Sequence, residues 1–280
     1  MIKITTILAA GLMALGLAVP AMAQEHETIH IERQPWSFGG IFGKYDEHQL
    51  QRGFQVFREV CASCHSARLL AFRNLSEEGG PGFSEEQVKA LAAEYTVNDP
   101  EAEGGTRKAL PSDRWPGTGQ SDADLAAAFG MVPPDLSVMA KARSISSPFP
   151  QWVFNYFTTY SEGGPDYIHA LLMGYEETPP EGVEVPEGKF YNHVFPGHAI
   201  GMPPPLADGQ VAYAGEDGAA APAEMLTAEQ YSTDVSAFLM WMAEPHLNAQ
   251  KAAGFRVLAF LIVFAVLMWF VKQRLWRKVH

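Results

Sequence analysis

Apolar positions fall into two kinds of pattern along this chain: a continuous run near each end, and helical stripes at two places between them. The first run, ITTILAAGLMALGLAVP, follows Lys3 and closes at Ala21-Met22-Ala23. A basic start, an apolar centre and an Ala-x-Ala end together predict a secretory signal peptide over residues 1–23, cut before Gln24. The second run, AAGFRVLAFLIVFAVLMWFV at 252–271, is interrupted only by Arg256. Roughly 20 helical residues at about 1.5 Å each span a bilayer core of about 30 Å, so one transmembrane helix is predicted over 251–273. Arg256 is close enough to one end to snorkel into the headgroups. Lys272, Arg274, Arg277 and Lys278 follow, with Trp269 and Trp276 placed for the interface. The positive-inside rule therefore puts 274–280 in the cytoplasm as a basic tail, and residues 24–250 in the periplasm as a domain held to the inner membrane by a single pass.

Within that domain the first stripe lies in DEHQLQRGFQVFREVCASCH. Asp46 can cap a helix, and Leu50, Phe54, Phe57 and Cys61 recur at helical spacing with Val60 alongside. Gly53 falls on the same face, where the missing side chain lets a second helix cross closely. The partner is predicted in TAEQYSTDVSAFLMWMAEP. There Thr227 and Gln230 suit a capping box, Val235, Phe238, Leu239 and Met242 form a stripe, and Pro245 marks the end. The glycine pairs in SEEGGPG and EGGPD read as turns.

Charge narrows the partners. All 32 acidic residues but only 13 of the 20 basic ones fall within 24–250, a formal charge of −19. Nucleic acid is excluded as a partner, because binding it rests on Lys and Arg neutralising phosphates. A basic soluble partner is favoured, since a surface of one sign attracts its opposite and raises the encounter rate. Glu77-Glu78, Glu85-Glu86 and the acidic run from Glu101 to Glu103 are candidate steering groups.

The chain's two cysteines are Cys61 and Cys64, and His65 follows them directly. Cys-x-x-Cys-His is the attachment site of a c-type haem: the thiols add to the porphyrin vinyl groups as thioethers, and the histidine reaches the iron from one face. A structural zinc site wants four ligands, usually in two separated pairs, and there is no second pair. A thioredoxin-like pair needs no histidine and belongs beside a βαβ pattern that this sequence lacks. One covalently attached haem c is the expected cofactor, in a mostly α, cytochrome c-like haem domain with extended loops.

What fills the other face of the iron decides between electron transfer and ligand or substrate chemistry. Met139, Met173, Met240 and Met242 sit in helix-like apolar patterns, and Met268 lies in the membrane run. Met202 differs: in FPGHAIGMPPPLADG a glycine precedes it and three prolines follow, so its thioether can be held at a fixed depth. His193 and His198 are close enough in sequence to compete. No nucleophile with base and orienter, no H-E-x-x-H and no phosphate-cradling glycine loop is present, so no catalytic residue is expected.

RGFQVFREVCASCH, PPDLSVMAKAR, GGPDYIHALLMGY, FPGHAIGMPPPL and DVSAFLMWMAEP, in that order and ahead of one membrane helix with a basic tail, resemble the bacterial cytochrome c1 family. That is the haem c subunit of the cytochrome bc1 complex, ubiquinol–cytochrome c reductase, and the likeness runs from about Trp36 to Trp276. The resemblance implies that His65 and Met202 ligate the iron, that Arg143 pairs with a haem propionate, that Tyr167 lies near the haem, and that Pro133 and Pro134 line its pocket. It implies cytochrome b, the Rieske iron–sulfur protein and a cytochrome c acceptor as partners, with one electron passed from the Rieske protein to the acceptor. Two departures stand out. SISSPFPQWVFNYFTTYSE, 144–162, is an insertion similar to the longer loop of bacterial members, and its aromatics suggest packing or partner contact. The loop from Glu176 to Tyr191 lacks the extra cysteine pair that some bacterial relatives carry, and must be held in another way.

Overall fold

A computed structural model describes residues 29–214 and 221–277. The signal peptide expected over 1–23 and the end of the basic tail lie outside these residues. Helices dominate. They are α1 (Glu47–Glu59), α2 (Glu85–Glu94), α3 (Asp122–Phe129), α4 (Met139–Ala142), α5 (Gln151–Thr158), α6 (Gly163–Met173), α7 (Ala228–Ala243) and α8 (Leu247–Trp276). Two small antiparallel ribbons complete the architecture: β1 (Thr96–Asn98) with β2 (Thr106–Lys108), and β3 (Phe190–Tyr191) with β4 (Ala199–Ile200).

The centre is the crossing of α1 on α7. Asp46 caps α1, its carboxylate accepting from the Gln49 amide at 2.7 Å, and Leu50, Gly53, Phe54, Val56 and Phe57 face inward. Gly53 is required by the crossing. A Cβ there would overlap the Asp234 carbonyl oxygen and lie 2.7 Å from Phe238 Cβ. Beside it the Arg52 guanidinium grips Asp234 with two bonds, at 2.9 and 3.0 Å, and the Asp234 side chain is fully buried. Phe54, Phe57 and Phe238 pack with Trp115 in an aromatic cluster whose ring centroids lie 5.4–5.9 Å apart, in the tilted and edge-on arrangements that aromatic quadrupoles favour.

The stripe of Val235, Phe238, Leu239 and Met242 is only part of what α7 buries: nearly every residue from Tyr231 to Met242 is buried, because α1, α4 and α6 surround it. Two expectations need correction. The α7 capping box is only half made. Thr227 accepts from the Gln230 amide at 3.2 Å, but the Gln230 side chain turns to Asp234 at 3.0 Å, where a buried carboxylate is the stronger attraction. The pair in EGGPD is not a turn; Gly163 and Gly164 begin α6. A Cβ at Gly164 would overlap the Ala140 carbonyl oxygen, so glycine serves there for the close approach of α4. SEEGGPG does form a turn, as expected.

The helix that carries the C-terminal apolar run extends beyond it at both ends. α8 starts at Leu247, which is buried against the domain, while the Asn248 side chain accepts from the Tyr45 amide at 3.2 Å. It contains the one helix among the described residues that is long and apolar enough to cross a membrane. Domain and anchor are therefore joined through a packed helical turn.

Candidate functional site

α1 ends at Glu59, and the next turn carries the chemistry. Cys61–Ser63 tighten into a 3₁₀ turn, and the Cys61 carbonyl accepts from the amides of both Cys64 (3.1 Å) and His65 (2.9 Å). Both cysteines are free thiols on one turn. Cys61 packs against the core, and burial, followed by the nearby Cys64, pushes its thiol up to about 12. The Ser63 hydroxyl lies 3.6 Å from the Cys64 sulfur.

His65 is oriented from across the chain. Its Nδ1 lies 2.8 Å from the Pro134 carbonyl oxygen, a contact that fixes Nδ1 as the proton-bearing nitrogen and leaves the Nε2 lone pair open. Burial lowers the imidazole's pKa, against the opposing pull of the Pro134 bond and the Asp135 charge, so the neutral, ligating form is favoured. The segment that offers this carbonyl is stitched down at several points. Asp135 accepts from Ser66 Oγ (2.8 Å), the Arg68 amide (2.9 Å) and the Ser137 amide (2.8 Å), while the Leu136 amide donates to the Ser66 carbonyl at 2.8 Å. Burial works to raise the Asp135 pKa, yet the bonds from Ser137, Arg68 and Ser66 win and hold it below the usual carboxylate range. Sequence reasoning gave Pro134 to the pocket lining; it missed the carbonyl and the Asp135 brace. Pro133, with Val132 and Leu125, borders a cleft of about 120 Å³ onto which Cys64 opens.

Arg143 follows α4 and is exposed; its Nη1 is 3.3 Å from the Ala142 carbonyl, and no carboxylate pairs with it among the described residues. Tyr167, on α6, is half-buried against the core. Burial raises its pKa, while the charge of Arg143 opposes.

Met202 is half-buried in the loop after β4, and its carbonyl accepts from the Tyr175 hydroxyl at 3.0 Å. Of its two sequence competitors, His193 is exposed and engaged, with Nδ1 3.1 Å from Glu176. His198 adopts a left-handed backbone (φ 58°), packs against Tyr191 in a tilted arrangement with ring centroids 5.9 Å apart, and has a buried Nδ1 without a hydrogen-bond partner. The loop from Glu176 to Tyr191 is closed by hydrogen bonding. Asn192 donates to the Leu171 carbonyl at 2.8 Å and accepts from Val194 at 3.0 Å, and β3 pairs with β4 just behind it.

These residues fit a haem. Two free thiols share a turn with an imidazole whose Nδ1 is already satisfied, and the exposed Arg143 guanidinium has no carboxylate partner among the described residues.

The sequence profile described as the Cytochrome C1 family matches residues 36–279. Among curated proteins, a cytochrome c1 of Blastochloris viridis is 47% identical over 275 residues, covering 95% of this chain and 94% of that one. A cytochrome c1 of Rhodospirillum rubrum is 42% identical, covering 98% of this chain and 99% of its own length. A cytochrome b/c1 of Bradyrhizobium diazoefficiens is 48% identical over 98% of this chain, which spans only 39% of that longer protein. The chain belongs to the Cytochrome C1 family.

Proposed function

We propose, with membership of that family as the premise, that this chain is the membrane-anchored haem c subunit of a ubiquinol–cytochrome c reductase, carrying one electron from the Rieske iron–sulfur protein to a cytochrome c. The observation that carries the reading is the His65 Nδ1 contact to the Pro134 carbonyl, one turn from two free thiols. Cys61 and Cys64 would hold the haem as thioethers, and His65, through Nε2, and the Met202 thioether would supply the ligands to its iron. His–Met ligation raises the iron's potential and shuts the site to outside ligands, which suits one-electron transfer. Arg143 binds a propionate, a charge-assisted pairing for which its guanidinium has the geometry. Tyr167 sits close to the ring. Pro133 keeps the edge dry, and Pro134 orients the imidazole.

The same reading makes residues 1–23 a cleaved signal peptide, places the 24–250 domain in the periplasm, and directs the end of α8 and the basic tail into the cytoplasm. Cytochrome b is the neighbour of α8 in the inner membrane. No bond is made or broken by this subunit alone. The reading is tested by purification from native membranes in mild detergent. Haem absorbance that migrates with cytochrome b and the Rieske protein supports it; a haem-bearing chain that elutes alone contradicts it.

A further inference from the structure

Where α8 leaves the domain, a loop descends beside it. Residues 38–43 are fastened to the first turns of the helix by Lys251, whose ammonium donates to the carbonyls of Phe38 (2.5 Å), Gly40 (2.7 Å) and Gly43 (3.3 Å). The tip of the loop is apolar and uncovered: Ile41 is 51% exposed and Phe42 79%. Phe42 faces Phe255, with ring centroids 6.4 Å apart, and Phe255 is the fourth residue of the apolar run that starts at Ala252. The tip therefore stands at the depth where the helix becomes hydrophobic on every side.

Between loop and helix runs a cleft of about 440 Å³. Its walls include Ile41, Phe42 and Phe255, and Lys44 and Arg256 border it. Lys251 spends its donors on the three carbonyls, but the other two cations are unpaired by carboxylates among the described residues. The Arg256 side chain folds back toward the helix start, its Nε 3.2 Å from the Ala252 carbonyl, as a snorkelling arginine does. Two unpaired cations over an apolar wall, beside a domain whose residues 24–250 carry a formal charge of −19, form a local reversal of sign at the start of the apolar run.

We propose that this cleft binds an anionic phospholipid of the outer leaflet, its phosphate between Lys44 and Arg256 and an acyl chain along Phe42 and Phe255. The occupant is a lipid because the cleft continues the surface of α8 into the bilayer, and because the chemistry needed, a phosphate above hydrocarbon, is that of a phospholipid. This inference rests on α8 crossing the membrane and not on the identity of the electron partners. The tip then acts as a wedge that fixes the height of the domain over the membrane.

The test uses the full haem-loaded chain in nanodiscs of phosphatidylcholine with a minority of phosphatidylglycerol, compared with the variant carrying Lys44→Gln and Arg256→Gln. Electron paramagnetic resonance of spin-labelled lipids reads the preference for phosphatidylglycerol over phosphatidylcholine at the protein surface. The wild-type chain should show a preference that the variant loses by roughly thirtyfold, the size expected of two cations at an anionic headgroup. An equal preference in both proteins assigns the lipid to the cytoplasmic cations and overturns the proposal. A nitroxide on Phe42→Cys, with the unsubstituted chain as labelling control, gives a second reading. Relaxation by oxygen rather than by a water-soluble nickel complex supports a tip in hydrocarbon; the reverse, or a tip buried against a protein neighbour and reached by neither, contradicts it.

Discussion

The proposed roles of Cys61, Cys64 and His65 come from their spacing, and that of Met202 from the glycine before it and the three prolines after it. The Pro134 carbonyl was not legible: a main-chain acceptor leaves no mark in the sequence, and the proline that carries it reads only as a stiff, dry position. Asp135 was equally hidden, since one carboxylate among 32 gains meaning only when Ser66, Arg68 and Ser137 are seen to converge on it. The proposed role of Met202 has a direct consequence. In Met202→Leu the iron loses its second axial ligand, so the potential should fall and the reduced haem should take up carbon monoxide. Redox titration with optical detection measures both, and an unchanged potential and spectrum would assign the ligand to another residue, with His198 the next to test.

At the level of elements, α1, α7 and α8 followed from periodicity, caps and the long apolar run, and Gly53 correctly announced the close crossing. α5 did not. The insertion that contains it buries none of its helical residues, and Phe149, Tyr156 and Phe157 are each 77% exposed, so no apolar stripe faces the domain for a pattern to reveal. The start of α6 was misread because glycine signals a turn and a close helix contact alike, and only the position of Ala140 distinguishes them. The crossing makes a strong prediction. Gly53→Ala should lower stability by about 1–3 kcal/mol or more, since its obstacle is backbone, and Arg52→Met by about 3–5 kcal/mol, since it strips a buried carboxylate of its counter-charge. Denaturant unfolding in detergent checks both. Between α6 and α7, His169 is buried with Nδ1 3.0 Å from Ser232 Oγ, and burial lowers its pKa from the usual 6.5 despite Glu229 and Asp166. The unfolded chain therefore binds the proton first as pH falls. Stability should be full above about pH 6.5 and decline below it until the folded imidazole also titrates. His169→Gln should flatten that decline; an equally steep profile in the variant would place its origin elsewhere.

For the whole molecule, charge was legible in total and only partly in its use. Glu85 and Glu86 turn out to occupy the first turn of α2, where carboxylates also complement the helix dipole, so part of the acidic character serves local structure. Glu77, Glu78, Glu101 and Glu103 lie in turns, outside regular helices and strands, and remain available to a basic partner. Electron transfer to a basic soluble cytochrome c should accordingly slow on the order of tenfold between about 0.01 M and about 0.15 M salt; stopped-flow rates that ignore ionic strength would contradict steering. A covalent haem whose iron has no open position would make this chain an electron carrier. An optical spectrum of the purified, reduced protein with and without carbon monoxide is the first test. The expected haem stays with the denatured chain, shows a methionine–iron charge-transfer band when oxidised, and ignores carbon monoxide when reduced. A haem that binds carbon monoxide readily would mean an open iron, and a ligand-sensing or enzymatic protein in place of a carrier.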